Sequence, residues 1–328
     1  MGLVNEVYDV TVIGGGTTGM FIAQYSGMRG LKTKVIEAKH DFGGKVSLFF
    51  PEKSIYDIGG IPEITGNDLL TKMKQQACKH NPPMINNEWI EVIEKRGGQF
   101  ELTSIKGNKH YSKTVIIATG MGSFDVVSSQ FVHQTYKNLH QSLQYMDQFK
   151  NKKVMISSNN RIGIDWALTL EKFAHKVHLV NSRETFQHAS EEELKKLSMS
   201  SVDLRVNASV KHVYTQDGCV VGVTIRSDKG IEDAFIDHML VYDGVKLNPT
   251  PFKNWGLDTE KGRVCVDASM ATTIDGIFAA GDSTIYPNKT MLIATGYTEG
   301  ITAVNSAKKY MDPSASGQVY STVIYRNK

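Results

Sequence analysis

The chain has 328 residues, 41% of them apolar and 22% charged, with a formal net charge of +3, the balance of a folded protein of one large or two ordinary domains. No apolar run reaches the roughly 20 residues that span a bilayer, and the dispersed basic residues form no nucleic-acid motif. The start MGLVNEVYDV also lacks a basic segment followed by an apolar one, so a cytoplasmic protein with no membrane and no nucleic-acid partner is expected.

In chain order, YDVTVI (8–13) reads as a short strand, GGGTTG as a turn, MFIAQYSGMRG as a buried helix ending at Gly30, and KTKVIEA as the next strand. Strand, glycine turn, helix and strand in quick succession open a doubly wound fold. An amphipathic helix is expected over 67–80, then alternating strands at 88–95, 99–105 and 109–118. A second strand–turn–helix–strand unit begins at Lys153, with its helix at 162–174 and its strand at KVHLV. A helix at 190–197 and a β-rich stretch over 209–242 follow. The chain then returns to a strand, GIFAAGD, and a helix from Gly296 to Tyr310. The fold expected is α/β: two Rossmann-like, three-layer ββα dinucleotide-binding domains. The second (119–245) is inserted into the first (1–118 plus 246–328). Cys78, Cys219 and Cys265 lie far apart, which excludes a C-x-x-C dithiol and offers no metal site.

Gly14, Gly16 and Gly19 form G-x-G-x-x-G between a strand and a helix. Gly14 allows the tight turn, Gly16 lets backbone approach a pyrophosphate, and Gly19 lets helix and strand pack closely. The phosphates then meet the helix N-terminus, where Thr18 adds a hydroxyl. Glu37 ends the second strand, where a carboxylate accepts hydrogen bonds from an adenosine ribose and repels a 2′-phosphate, which favours FAD or NAD. In FGGKVSLFFPEKSIYDIGG the pair Gly43 and Gly44 can approach a ligand, followed by the aromatics Phe49 and Phe50. Asp282, at the end of GIFAAGD, is poised for a polyol hydroxyl.

YDVTVIGGG, PEKSIYDIGGIP, KTVIIATGMGSF, FKNWGLD, GIFAAGD, LIATGYTEGITAVNSAKKYMDP and YSTVIYRNK together resemble the thioredoxin-reductase-like ferredoxin–NADP reductases of bacteria, which lack the C-x-x-C of thioredoxin reductase. The resemblance implies a homodimer with non-covalent FAD that passes electrons from NADPH to ferredoxin or flavodoxin. The flavin then carries the chemistry and no catalytic side chain is required. It also implies flavin contacts from Thr18, Glu37, Lys45, Phe50, Ile90, Phe124, Asp282 and Ser321, with Tyr320 covering the flavin from the partner subunit. Lys45 stands where glutamine is usual, Phe50 where tyrosine is common, and Tyr320 where histidine is frequent; both aromatics keep a stacking face.

The second turn departs further. In VMISSNNRIGIDWA (154–167), Ser158 and Asn160 replace the first two glycines of the family turn, and Gly163 remains. Asparagine tolerates turn conformations, but the Asn160 side chain reaches toward the place where a pyrophosphate meets backbone. Arg161 offers a compensating charge. After VHLV, where the family carries basic residues for the 2′-phosphate of NADPH, this chain has Asn181, Ser182, Arg183 and Gln187, and only Arg183 keeps a charge. Ordinary NADPH binding, weakened or NADH-tolerant binding, and loss of the site all stay open. So do reduction by another donor such as ferredoxin, and a non-catalytic flavin-binding dimer.

Overall fold

A computed structural model describes residues 6–126, 136–143, 145–242 and 244–326. The chain divides into two compact units, one built from residues up to Ser123 together with Asn248 onward, the other from Phe124–Leu247. The first stretch contributes β1 (Val7–Ile13), α1 (Thr17–Met28), β2 (Thr33–Ile36), α2 (Gly44–Phe49), α3 (Gly66–Ala77), β3 (Met84–Ile85), β4 (Ile90–Arg96), β5 (Gln99–Ser104) and β6 (Lys109–Ile117). After the crossing strand β7 (Ser123–Val126), the second unit holds β8 (Leu139–His140), β9 (Lys153–Ser158), α4 (Arg161–Leu170), β10 (Lys176–Val180), α5 (Glu191–Ser198) and β11 (Asp203–Arg205). It continues with β12 (Ser209–Gln216), β13 (Cys219–Ser227), β14 (Gly230–Phe235) and β15 (His238–Tyr242). The return crossing β16 (Val245–Asn248) leads to β17 (Ile277–Ala279), α6 (Ile293–Met311) and α7 (Ser321–Ile324).

The sheet of the first unit runs β3-β2-β1-β6-β5-β4, with β17 also on β6. Strand β6 divides its edge. Residues 109–112 pair antiparallel with β5, and Val115, Ile116 and Ile117 pair parallel with β17. One strand thus belongs to both a parallel sheet and an antiparallel meander. Side chains on β1 alternate between two cores. Val10 and Val12 pack with Met20, Ile22, Ala303 and Ala307 on the helix side, and Ile13 packs with Ile36, Phe100 and Ile117 on the other. Thr11, between the two valines, is buried as well although it is polar, as expected of a strand covered on both faces.

In the second unit, β8-β15-β9-β10-β11 form a five-stranded parallel sheet. The antiparallel trio β12-β13-β14 packs on it through Val210, Val223 and Ile225 against Met155 and Met239. The junctions fall at Ser123/Phe124 and Leu247/Asn248, a few residues later than 118/119 and 245/246. The reason is that residues 119–123 stay on the first unit. Thr250 Oγ1 donates to Thr119 Oγ1 at 3.1 Å, and a Cβ on Gly122 would lie 2.4 Å from the Asn248 carbonyl oxygen. Helix α4 stops at Leu170 rather than 174, because Phe173 and Ala174 both donate to the Leu170 carbonyl in a closing turn. Helix α6 starts three residues before Gly296, at Ile293. Among the described residues no helix is long and apolar enough to cross a membrane.

Candidate functional site

The turn between β1 and α1 is held by contacts that only glycine permits. Gly14 has φ +108°, and a Cβ there would lie 2.4 Å from the Ala118 carbonyl oxygen. A Cβ on Gly19 would lie 1.9 Å from the Gly14 carbonyl oxygen, so α1 rests directly on the turn. Gly16 is the N-cap of α1 and makes no side-chain cap, and the first turn of the helix carries no acidic residue. Backbone N–H groups and the positive end of the helix dipole are therefore left for an anion. Gly44, with φ +60°, backs Gly16 so closely that a Cβ would lie 3.2 Å from the Gly16 Cα. Glu37 braces the same turn: Gly15 N donates to its Oε2 at 2.7 Å and Lys39 N to its Oε1 at 2.8 Å. Burial pushes the Glu37 carboxyl above the usual carboxylate range, and those backbone donors pull against it. A carboxylate has about four acceptor sites, so capacity remains for a ribose.

The returning segment completes the crevice. A Cβ on Gly296 would lie 2.3 Å from Thr18 Oγ1 and one on Gly281 2.8 Å from it, so the Thr18 hydroxyl is wedged between them. Asp282 follows Gly281 and pairs with Lys45 Nζ at 2.5 Å. Glu299 of α6 fixes this loop: Gly281 N donates to its Oε2 at 2.6 Å, and Tyr286 and Lys289 donate to its Oε1. Leu292 begins α6 without a side-chain cap, giving the unit a second open helix N-terminus. Gly14, Gly16, Thr18, Gly19, Glu37, Gly44, Lys45 and Asp282 thus come together, and they fit the pyrophosphate and polyol of a dinucleotide. Sequence reading missed Arg263, whose Nε donates to the Asp282 carbonyl at 3.2 Å; no local pattern marks it.

The other expected residues lie on different elements. Ile90 is buried with Ile13 and Ile36, two residues past Glu88, whose N–H donates to the Glu37 carbonyl at 2.9 Å. Phe50 ends α2, 41% exposed. Phe124 lies on the crossing strand β7. Tyr320, 58% exposed, and Ser321 open the short helix α7. The tail is pinned by Tyr325 instead: its Oη lies 2.8 Å from His80 Nε2, and Lys79 Nζ sits 4.0 Å from its ring centroid.

The turn between β9 and α4 is filled. Asn160 is the N-cap of α4, and its Oδ1 accepts from Ile162 N at 3.2 Å. Ser158 Oγ accepts from Asn160 N at 3.1 Å, and a Cβ on Gly163 would lie 2.5 Å from the Ser158 Cβ. Arg161 N donates to the Gln187 carbonyl at 2.9 Å, and its Nε to Glu193 Oε1 at 2.6 Å. Asn159 Oδ1 accepts from Ser182 N at 2.8 Å and from Ser182 Oγ at 3.0 Å. Arg183 N donates to Asn181 Oδ1 at 2.8 Å. As arranged, these residues do not fit a pyrophosphate.

The pattern of the family described as pyridine nucleotide-disulphide oxidoreductase matches residues 8–307. A ferredoxin–NADP reductase 1 of Bacillus velezensis is 43% identical over 325 residues, which cover 97% of this chain and 96% of the relative. A ferredoxin–NADP reductase 2 of Bacillus subtilis is 38% identical over 330 residues, covering 98% of each chain. The crystal structure of T. acidophilum thioredoxin reductase shares the fold, with a TM-score of 0.65 at 20% identity over 94% of this chain and 99% of that one.

Proposed function

Because the chain belongs to the thioredoxin-reductase-like ferredoxin–NADP reductases, within the pyridine nucleotide-disulphide oxidoreductase family, we propose that it is an FAD-dependent oxidoreductase carrying electrons from NADPH to ferredoxin or flavodoxin. The observation that carries the FAD assignment is the uncapped start of α1 on its glycine turn, with Glu37 beside it. Bound FAD supplies the link between a two-electron donor and a one-electron carrier. The chain's own part is to hold and orient. The first turn of α1 takes the pyrophosphate through backbone N–H groups, Glu37 accepts from the adenosine ribose, and Asp282 accepts from the ribityl chain. The open N-terminus of α6 stabilises negative charge on the pyrimidine side. The chain works as a homodimer, in which the exposed Tyr320 and Ser321 of one protomer are offered to the flavin of the other.

Purification under mild conditions tests the reading. The protein is expected to be yellow, to hold about one FAD per chain, and to reduce ferredoxin or flavodoxin anaerobically once its flavin is reduced. A colourless protein that stays colourless with excess FAD refutes it.

A further inference from the structure

The two turns sit at equivalent places, each between a parallel strand and a helix. In the first, no side chain caps the helix. In the second, acceptors of the chain itself occupy three consecutive N–H groups of the turn. The N–H of Asn160 is taken by Ser158 Oγ, that of Arg161 by the Gln187 carbonyl, and that of Ile162 by Asn160 Oδ1. Asn159 ties the ends of β9 and β10 together through Ser182, across the crevice where an adenosine ribose lies in this kind of fold. The guanidinium at the helix start is committed to Glu193, whose carboxylate is itself fixed by the capping box with Ser190, so the mouth of the turn carries a negative charge beside its positive one.

We infer that Ser158, Asn159 and Asn160 compete from within for the pyridine-nucleotide site, so that NADPH enters only by displacing their hydrogen bonds and binds far more weakly than a glycine turn would allow. Ser158 and Asn160 are then the residues that set nucleotide affinity in this chain, an inference that rests on the reading above in which NADPH is the electron donor. Each exchanged hydrogen bond and each missing phosphate contact costs part of an order of magnitude or more, and together they weaken binding by at least about tenfold.

The holoprotein is mixed anaerobically with NADPH while flavin absorbance is followed, and NADP⁺ affinity is measured in parallel by calorimetry. Wild type is expected to show a reduction rate still rising at about 1 mM NADPH, the top of the ordinary range of half-saturation. Asn160→Gly keeps a tolerated N-cap residue, and combined with Ser158→Gly it should lower half-saturation and the NADP⁺ dissociation constant at least about tenfold. Asn160→Asp keeps the cap, adds a negative charge, and should weaken both further. Saturation of wild type at micromolar NADPH overturns the inference, as does an Asn160→Asp protein that binds NADP⁺ as wild type does, even where the double glycine variant fails to fold. Failure of the reading shows differently: a colourless protein has no flavin signal, yet calorimetry with NADP⁺ still decides the competition.

Discussion

Replacing Gly19 by alanine tests whether the first turn is the flavin cradle. The added methyl would stand 1.9 Å from the Gly14 carbonyl oxygen, so helix and turn must part by about 1 Å to restore a normal contact. Both neighbours are backbone, and no rotamer change relieves them. Overpacking of this kind costs about 1–3 kcal/mol. Because the shift retracts the N–H groups of α1 from the pyrophosphate, the same energy appears in binding as an FAD dissociation constant roughly 10- to 100-fold higher. Titration of apoprotein with FAD, followed by flavin fluorescence, measures it. Gly30→Ala is the control: φ there is +70° with nothing within 4 Å of a Cβ, so it should cost about 1 kcal/mol of stability and leave FAD affinity unchanged. A Gly19→Ala protein that binds FAD within a factor of two of wild type refutes the cradle.

Asp282→Ala should loosen FAD about tenfold, the worth of a hydrogen bond to a charged acceptor. Lys45→Gln should change stability by under about 1 kcal/mol, since the lysine side chain is 35% exposed and its charge screened; equal FAD constants for the two variants would contradict the assigned roles. Glu299→Gln strands Lys289, whose side chain is only 5% exposed, and should lower stability by about 3–5 kcal/mol; adding Lys289→Met should recover most of that loss in a denaturant titration. In the second unit, His140 Nε2 lies 3.1 Å from His238 Nδ1, and burial, then the charge of His238, push the His140 imidazole down from 6.5 to about 4. A base with a depressed folded-state pKa contributes stability that is complete above its unfolded value and disappears as pH falls toward the folded one. Acidification from pH 6.5 to 4 should therefore cost about 1–2 kcal/mol through His140 after allowance for partial exposure, and His140→Gln should reduce the total acid-induced loss in urea melts by about that amount.

The parts of the site legible in the sequence are those made by backbone within a short window. Gly14, Gly16 and Gly19 announce a turn because glycine spacing is itself the geometry, and Glu37, directly after the next strand, is found bracing that turn. The pairing of Lys45 with Asp282 spans 237 residues, and Arg263 reaches the same aspartate from a strand with no motif of its own; such contacts exist only once the sheet is assembled. In the second turn the substitutions were visible, but their outcome depended on where the asparagine side chains turned. Asn160 folds back on Ile162 N and Asn159 crosses to Ser182, choices that composition does not encode. No helix was expected over Gly44–Phe49, because two glycines open it, yet the segment coils into the short helix α2 behind its N-cap Gly43.

The divided edge of β6 sets an order of assembly during synthesis. Val115, Ile116 and Ile117 wait for Ile277, Phe278 and Ala279, while β8 through β15 close on themselves before that strand has left the ribosome. The inserted unit can therefore mature first, as domains emerging from the ribosome commonly do. The glycine turn is translated before the insert and its far wall of Gly281, Asp282 and Gly296 after it, so the crevice is complete only once that wall has been made. A chain truncated before Glu299 should accumulate with a folded insert and an unfinished, flavin-free host.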